Sequence, residues 1–161
     1  MIHHIKDDIT KSDCDIICHQ VNCQGKMNSG VAKAIRKKWP IVYKNYRIKY
    51  EENVLYKRSP LGDIQLVPLY DYYYKTNKHQ CVANLFSQNN FGYDGKRYTS
   101  YDAFWNCLNL LKQVIPPEQT IAFPWRIGCV RGGANWAVIH TMIEEVLGDR
   151  DIYFYSLGEF D

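Results

Sequence analysis

Ile16-Ile17-Cys18-His19-Gln20-Val21-Asn22-Cys23-Gln24-Gly25-Lys26-Met27-Asn28-Ser29-Gly30-Val31-Ala32-Lys33-Ala34-Ile35 passes from an apolar run through a polar, glycine-containing loop into a helical pattern. Residues 16–21 are too few for a helix and rich in β-branched side chains, so they read as a strand. From residue 31 the apolar positions Val31, Ala34, Ile35 and Trp39 recur at helical spacing, and Pro40 marks a boundary. A strand, a glycine loop and a helix in this order define one unit of an alternating α/β fold.

The pattern repeats along the chain. A second helix is expected over 41–50, and strands over 64–69 and 81–86. Residues 88–100 are polar and glycine-containing and read as one long loop, a feature that is commonly functional in a compact domain. Tyr101, Phe104, Trp105, Leu108 and Leu111 mark a helix that ends before Pro116-Pro117. Ile121-Ala122-Phe123 is a short buried strand. Trp136, Ile139, Ile143, Val146 and Leu147 mark the last helix, with Gly148 placed to cap it, and residues 152–155 are a final strand. Tyr70, Tyr72, Tyr73 and Tyr74 are expected as a sheet-edge or loop cluster. The alternation predicts a three-layer α/β/α sandwich with helices on both faces of a mixed central sheet, as a single domain over residues 1–161.

Composition excludes several classes. Of the 161 residues 46% are hydrophobic and 23% charged, the balance of an ordinary globular protein. No apolar stretch has the length of a membrane span and residues 1–10 carry no apolar run, so no membrane association and a cytoplasmic location are expected. The net charge of +3 neither demands nor excludes a nucleic acid partner. Lys33, Arg36, Lys37 and Lys38 read as the solvated face of a helix. The cysteines at 14, 18, 23, 81, 107 and 129 form no CxxC pair, and His3, His4, His79 and His140 share no metal-ligand spacing. Reduced thiols, no metal and no cofactor are the expectation, and with no interface signal the chain is expected to be a monomer.

Two loops suit a diphosphate. Residues 22–30 leave one strand and open one helix. Gly128-Cys129-Val130-Arg131-Gly132-Gly133 leave the strand near Phe123 and open the helix near Trp136. Glycines let the backbone approach a ligand, and the N–H groups at a helix start favour an anion. Neither loop is a Walker motif or a GxGxxG fingerprint. In such folds ligands collect at the carboxyl ends of strands, where both loops lie.

The residues resemble the macrodomains, a family that binds ADP-ribose. The resemblance rests on Asp8-Ile9-Thr10, taken as the family's first-strand motif with Asp7 where a glycine is usual. It continues through Cys14 to Asn22, through Asn28-Ser29-Gly30-Val31-Ala32-Lys33-Ala34-Ile35, and through Pro124-Trp125-Arg126-Ile127-Gly128-Cys129 with Trp136. It implies that Asp8, with Ile9 beside it, accepts a hydrogen bond from the adenine amino group, and that Asn22 bonds the distal ribose. It implies a diphosphate held by the backbone N–H groups of Ser29, Gly30 and Val31 on one side, with Asn28 also counted among the ligand-binding residues. Gly128, Val130, Arg131, Gly132, Gly133 and Ala134 face it on the other, and Tyr155 and Leu157 lie near adenine. Asn90, Phe91 and Asp94 in the long loop are placed to cover the distal ribose.

Two branches of the family are closest. One removes phosphate from ADP-ribose 1″-phosphate and carries a His three residues before the ribose Asn, where this chain has His19. The other hydrolyses ADP-ribosyl groups from protein or nucleic acid, some members using a Lys and an Asp whose positions fall near Gln88 and Gly132 here. The resemblance therefore implies ADP-ribose, or ADP-ribosylated protein or nucleic acid, as partner, with His19 and Asn22 as the candidate catalytic residues. His19, with an ordinary pKa near 6.5, suits acid–base work. The alternative is a module that reads or sequesters ADP-ribose without turnover.

Overall fold

The computed structural model describes residues 1–161. The strands are β1 (Ile2–Lys6), β2 (Ile16–Val21), β3 (Ile64–Pro68), β4 (Cys81–Phe86), β5 (Ile121–Pro124) and β6 (Ile152–Ser156). The helices are α1 (Gly30–Lys38), α2 (Pro40–Leu55), α3 (Tyr70–Thr76), α4 (Tyr101–Val114) and α5 (Trp136–Leu147). The strands form one sheet in the order β1-β6-β5-β2-β4-β3, parallel except for β3, which runs antiparallel to β4.

The period of two along β2 sorts its side chains onto two cores. Ile16 and Cys18 join the cluster built with Phe104, Leu108, Leu111, Ile139 and Ile143 of α4 and α5. Ile17 and Val21 join the cluster built with Ile35, Val42 and Tyr46 of α1 and α2. The sheet is thus covered on both faces, giving the three layers and mixed sheet expected. Burying side chains such as Phe104 and Tyr46 stabilises the layers by about 25 cal/mol per Å² of apolar surface.

The connections decide where a ligand can enter. After β2 the chain turns to the α1/α2 face, whereas after β4 and β5, its two neighbours, it turns to the α4/α5 face. Loops that diverge to opposite faces leave a crevice at the carboxyl end of β2.

Four local expectations change. Asp8-Ile9-Thr10 is not strand: β1 ends at Lys6, and the Asp8 carboxylate accepts from Thr10 N–H at 2.9 Å, capping a 3₁₀ turn over Ile9–Lys11. Tyr70, Tyr72, Tyr73 and Tyr74 lie in α3 rather than at a sheet edge, and Asn77 closes that helix in a left-handed conformation (φ 59°). Gly148 does follow α5, yet with right-handed φ −65°, so it caps without the left-handed turn that favours glycine. The helix after Pro40 also runs five residues further than expected, to Leu55. No helix is long and apolar enough to cross a membrane.

Candidate functional site

A cavity of about 410 Å³ lies in the crevice at the end of β2, between the loop entering α1 and the loop entering α5. On the first wall, Ser29 occupies the cap position of α1 but its side chain makes no capping bond. The backbone N–H groups of Gly30, Val31 and Ala32 donate to no protein acceptor. The starts of α4 and α5 differ: Ser100 accepts from Ala103 N–H, and Asn135 accepts from Ala137 N–H. The α1 start therefore keeps both its free donors and the positive end of its dipole for a ligand.

The second wall is the loop from Gly128 to Ala134. Gly128 (φ 76°) and Gly133 (φ 69°) adopt conformations that favour glycine. The N–H groups of Val130, Arg131, Gly132 and Gly133 have no protein acceptor, so four consecutive donors are available. Successive N–H groups in such a turn form an anion-binding concavity. Ala134 differs from expectation: its N–H is spent on the Gly128 carbonyl at 3.0 Å, closing the loop. Gly133 and Ala134 do not line the cavity.

The lining carries Lys26, Arg126 and Arg131, none in an ion pair, and no Asp or Glu. Unpaired cations around free backbone donors make the cavity a site for anionic oxygen. Arg131 lies over the Tyr93 ring at 4.4 Å, joining the second wall to the long loop. Trp125 and Arg126 line the cavity although the sequence motif that contains them assigns them no role, and Arg126 has positive φ (63°) with no glycine to signal it.

The walls are held by a polar knot that sequence reading also missed. Gln20, at the end of β2, donates through Nε2 to Gln88 Oε1 at 2.5 Å and to Thr99 Oγ1 at 2.9 Å, and its Oε1 accepts from Ser87 Oγ at 2.6 Å. Gln20 was detectable as the last polar residue on the α4/α5 side of a strand that opens a loop.

Asn22 lines the cavity and is 9% exposed. Its Oδ1 accepts from Gln24 N–H and the Tyr46 hydroxyl, at 2.9 and 2.8 Å, and its Nδ2 donates to the Lys26 carbonyl at 2.9 Å. The side chain shapes the first loop, and one amide hydrogen stays free for a ligand. Asn28 lines the cavity and accepts from Arg36 at 3.1 Å.

His19 lines the cavity as well, but is 1% exposed. Burial holds its pKa down to about 4, against an opposing hydrogen bond to Asn84. The ordinary value near 6.5 expected from sequence therefore does not hold, and the imidazole is neutral at physiological pH.

Of the remaining residues, all but Phe91 fall outside the cavity lining. Asp8, Ile9, Tyr155 and Leu157 do not line it. Ile9 and Tyr155 share the α1/α2 core cluster, so the capped turn sits beside the sheet at a flank of the crevice. The Asp8 carboxyl is held below its ordinary pKa chiefly by the Thr10 backbone N–H, which keeps it ionised. Leu157 is 80% exposed. In the long loop Phe91 lines the cavity, while Asn90 and Asp94 do not. Asp94 instead accepts from the Tyr98 hydroxyl at 2.8 Å and braces the loop from within. No group of three or more His, Cys, Asp or Glu side chains is gathered to hold a metal ion.

No protein-family model matches the chain. An uncharacterized 17.5 kDa protein from the tk-vs intergenic region of Enterobacteria phage T4 is 30% identical over 151 residues, covering 89% of this chain and 88% of that protein. The chain belongs to one family with that phage protein. A Bacteroides thetaiotaomicron protein of unknown function superposes with a TM-score of 0.79 at 28% identity, over 96% of this chain and 97% of its own. A macrodomain protein from Streptomyces coelicolor superposes with a TM-score of 0.77 at 22% identity, over 98% of this chain and all (100%) of its own.

The fold is that of the macrodomains.

The same macrodomain fold occurs in Thermosipho africanus DarTG, solved in complex with ADP-ribose, with a TM-score of 0.76 at 17% identity over 96% of this chain and 41% of that one. On the macrodomain sheet of the present chain, the two loops carrying free N–H groups follow the central neighbours β2 and β5.

Proposed function

We propose that this protein binds ADP-ribose, or a molecule that carries it, with the diphosphate between the start of α1 and the Val130–Gly133 turn. One observation carries the reading. Two sets of unsatisfied backbone donors flank a cavity that holds three unpaired cations and no carboxylate. Recognition of ADP-ribose by a protein of the same fold, the Thermosipho africanus DarTG, supports it. In this reading Asp8 meets the adenine amino group, Asn22 offers its free amide hydrogen to the distal ribose, and Phe91 and Tyr93 of the long loop cover that end. The protein acts as a cytoplasmic monomer. Titration calorimetry with ADP-ribose tests the proposal: saturable heat supports it, and a folded protein that gives none removes it.

A second reading is processing of an ADP-ribose derivative, either ADP-ribose 1″-phosphate or an ADP-ribosylated protein or nucleic acid. The observation behind it is His19 at the cavity floor. Hydrolysis needs a group to take a proton from water. The lining supplies no carboxylate, and the positions near Gln88 and Gly132 carry neither the Lys nor the Asp of one catalytic branch. Only the neutral imidazole of His19 remains for that task. Phosphate release or loss of an ADP-ribosyl group, abolished in His19→Ala, assigns turnover. Binding without product assigns a module that reads or sequesters ADP-ribose.

A further inference from the structure

A row of polar groups, buried at His19 and Asn84 and half-buried at Gln65, crosses the sheet from α2 to the cavity floor. Gln65 on β3 donates through Nε2 to the Asn45 backbone carbonyl at 3.0 Å. Asn84 on β4 donates through Nδ2 to Gln65 Oε1 at 3.0 Å. Asn84 Oδ1 then faces His19 Nε2 on β2 at 2.5 Å. His19 and Asn84 are direct partners in the β2–β4 register, as Gln65 and Asn84 are in β3–β4.

The far end of the row fixes its direction. A backbone carbonyl is only an acceptor, so Gln65 must present its amide to Asn45 and its oxygen to Asn84. Asn84 must then present its own oxygen to His19. A neutral imidazole carries one proton, and here the proton belongs on Nε2, leaving Nδ1 as a bare lone pair. That Nδ1 is fully buried and has no partner in the protein. A buried acceptor left unmade costs about 1–3 kcal/mol, so a partner is needed.

We infer that the Asn45–Gln65–Asn84 row sets His19 as a fixed acceptor at the cavity floor, so that the ligand group seated on His19 is a hydroxyl donor and not an anionic oxygen. An anion at that point would meet a lone pair instead of a proton, whereas the free N–H groups at the two walls serve anions. The cavity thus sorts its ligand into a charged part at the walls and a neutral sugar-like hydroxyl at the floor. This specificity role for His19 rests on the ADP-ribose reading above.

The test is nitrogen NMR of protein labelled with ¹⁵N-histidine, at neutral pH. In the free protein the expected result is a pyrrole-like Nε2 and a pyridine-like Nδ1 for His19. Saturating ADP-ribose shifts Nδ1 in the direction of an accepted hydrogen bond without protonating it, while inorganic pyrophosphate, which has no sugar hydroxyl, leaves it unmoved. In Gln65→Leu the tautomer preference weakens, because the orientation of Asn84 is no longer set. A free protein with the proton on Nδ1 overturns the inference. So does an Nδ1 signal that ignores bound ADP-ribose, or one that pyrophosphate moves equally. Calorimetry on the same sample separates the two failures. Heat from ADP-ribose with no Nδ1 shift defeats this inference alone, and no heat with the Nε2–H tautomer present defeats the ADP-ribose reading.

Discussion

Thr99 Oγ1 donates to the Gly128 carbonyl at 2.8 Å and accepts from Gln20 Nε2 at 2.9 Å, so one hydroxyl fastens the base of the long loop to the second wall of the cavity. Thr99 is buried, and its backbone N–H also reaches the Gly132 carbonyl at 3.0 Å. Thr99→Val keeps the shape and removes both hydroxyl bonds. A buried hydrogen bond contributes about 1 kcal/mol, and an acceptor left unmade costs about 1–3. The variant should lose about 2 kcal/mol of unfolding free energy and about tenfold in ADP-ribose affinity. Denaturant melts and calorimetry check this, and unchanged affinity would show that the wall does not depend on Thr99.

Gly132 tolerates no side chain. A Cβ there would lie 2.2 Å from Thr99 Oγ1 and 2.4 Å from the Gly128 carbonyl. An acidic side chain at this position is therefore incompatible with the way the loop closes. Gly132→Ala and Gly132→Asp are both expected to weaken ADP-ribose binding at least tenfold, and Gly132→Asp to confer no hydrolytic activity. A gain of hydrolysis in Gly132→Asp would contradict the loop geometry.

His19 gives stability a pH dependence of known sign. Its folded pKa, about 4, lies below the unfolded value near 6.5. Between those values the unfolded chain binds the extra proton, so stability falls as pH drops from 6.5 to 4. The loss attributable to His19 is on the order of 3 kcal/mol. Thermal melts of wild type and His19→Gln across this window are expected to differ in slope, with the variant flatter. Parallel curves would show that His19 is not held neutral by burial.

Asp8 combines two roles in one side chain. Its Oδ1 caps the 3₁₀ turn and accepts from Thr10 N–H and hydroxyl, both at 2.9 Å, leaving Oδ2 without a protein partner. Asp8→Ala should cost about 1 kcal/mol of stability through the lost cap. If Oδ2 serves the adenine amino group, wild type prefers ADP-ribose over its inosine analogue and Asp8→Ala erases that preference. A variant that binds more weakly with the preference intact would move adenine recognition elsewhere.

Much of this arrangement was legible in the residues because period and placement agreed. Residues 16–21 and 81–86 show apolar runs of strand length, and the two glycine loops follow strands and open helices. What stayed hidden depended on contacts between distant residues. Gln20 looks unremarkable until Ser87, Gln88 and Thr99 converge on it. Arg126 gives no sign of its left-handed backbone, and four tyrosines near residue 70 have no helical preference that would announce α3. Asn22 was read for its ligand, yet its amide also organises the loop through Tyr46 and Lys26. The motif assigns Asp8 to the first strand, whereas its own side chain caps the turn that follows β1.

The central claim is that an ADP-ribose diphosphate sits between the α1 start and the Val130–Gly133 turn. Its most direct test is calorimetric titration of the folded wild-type protein with ADP-ribose, paired with Gly132→Ala. The expected result is saturable, one-to-one heat in the wild type that falls at least tenfold in affinity in the variant. A folded wild type with no heat, or a variant that binds equally well, would contradict it.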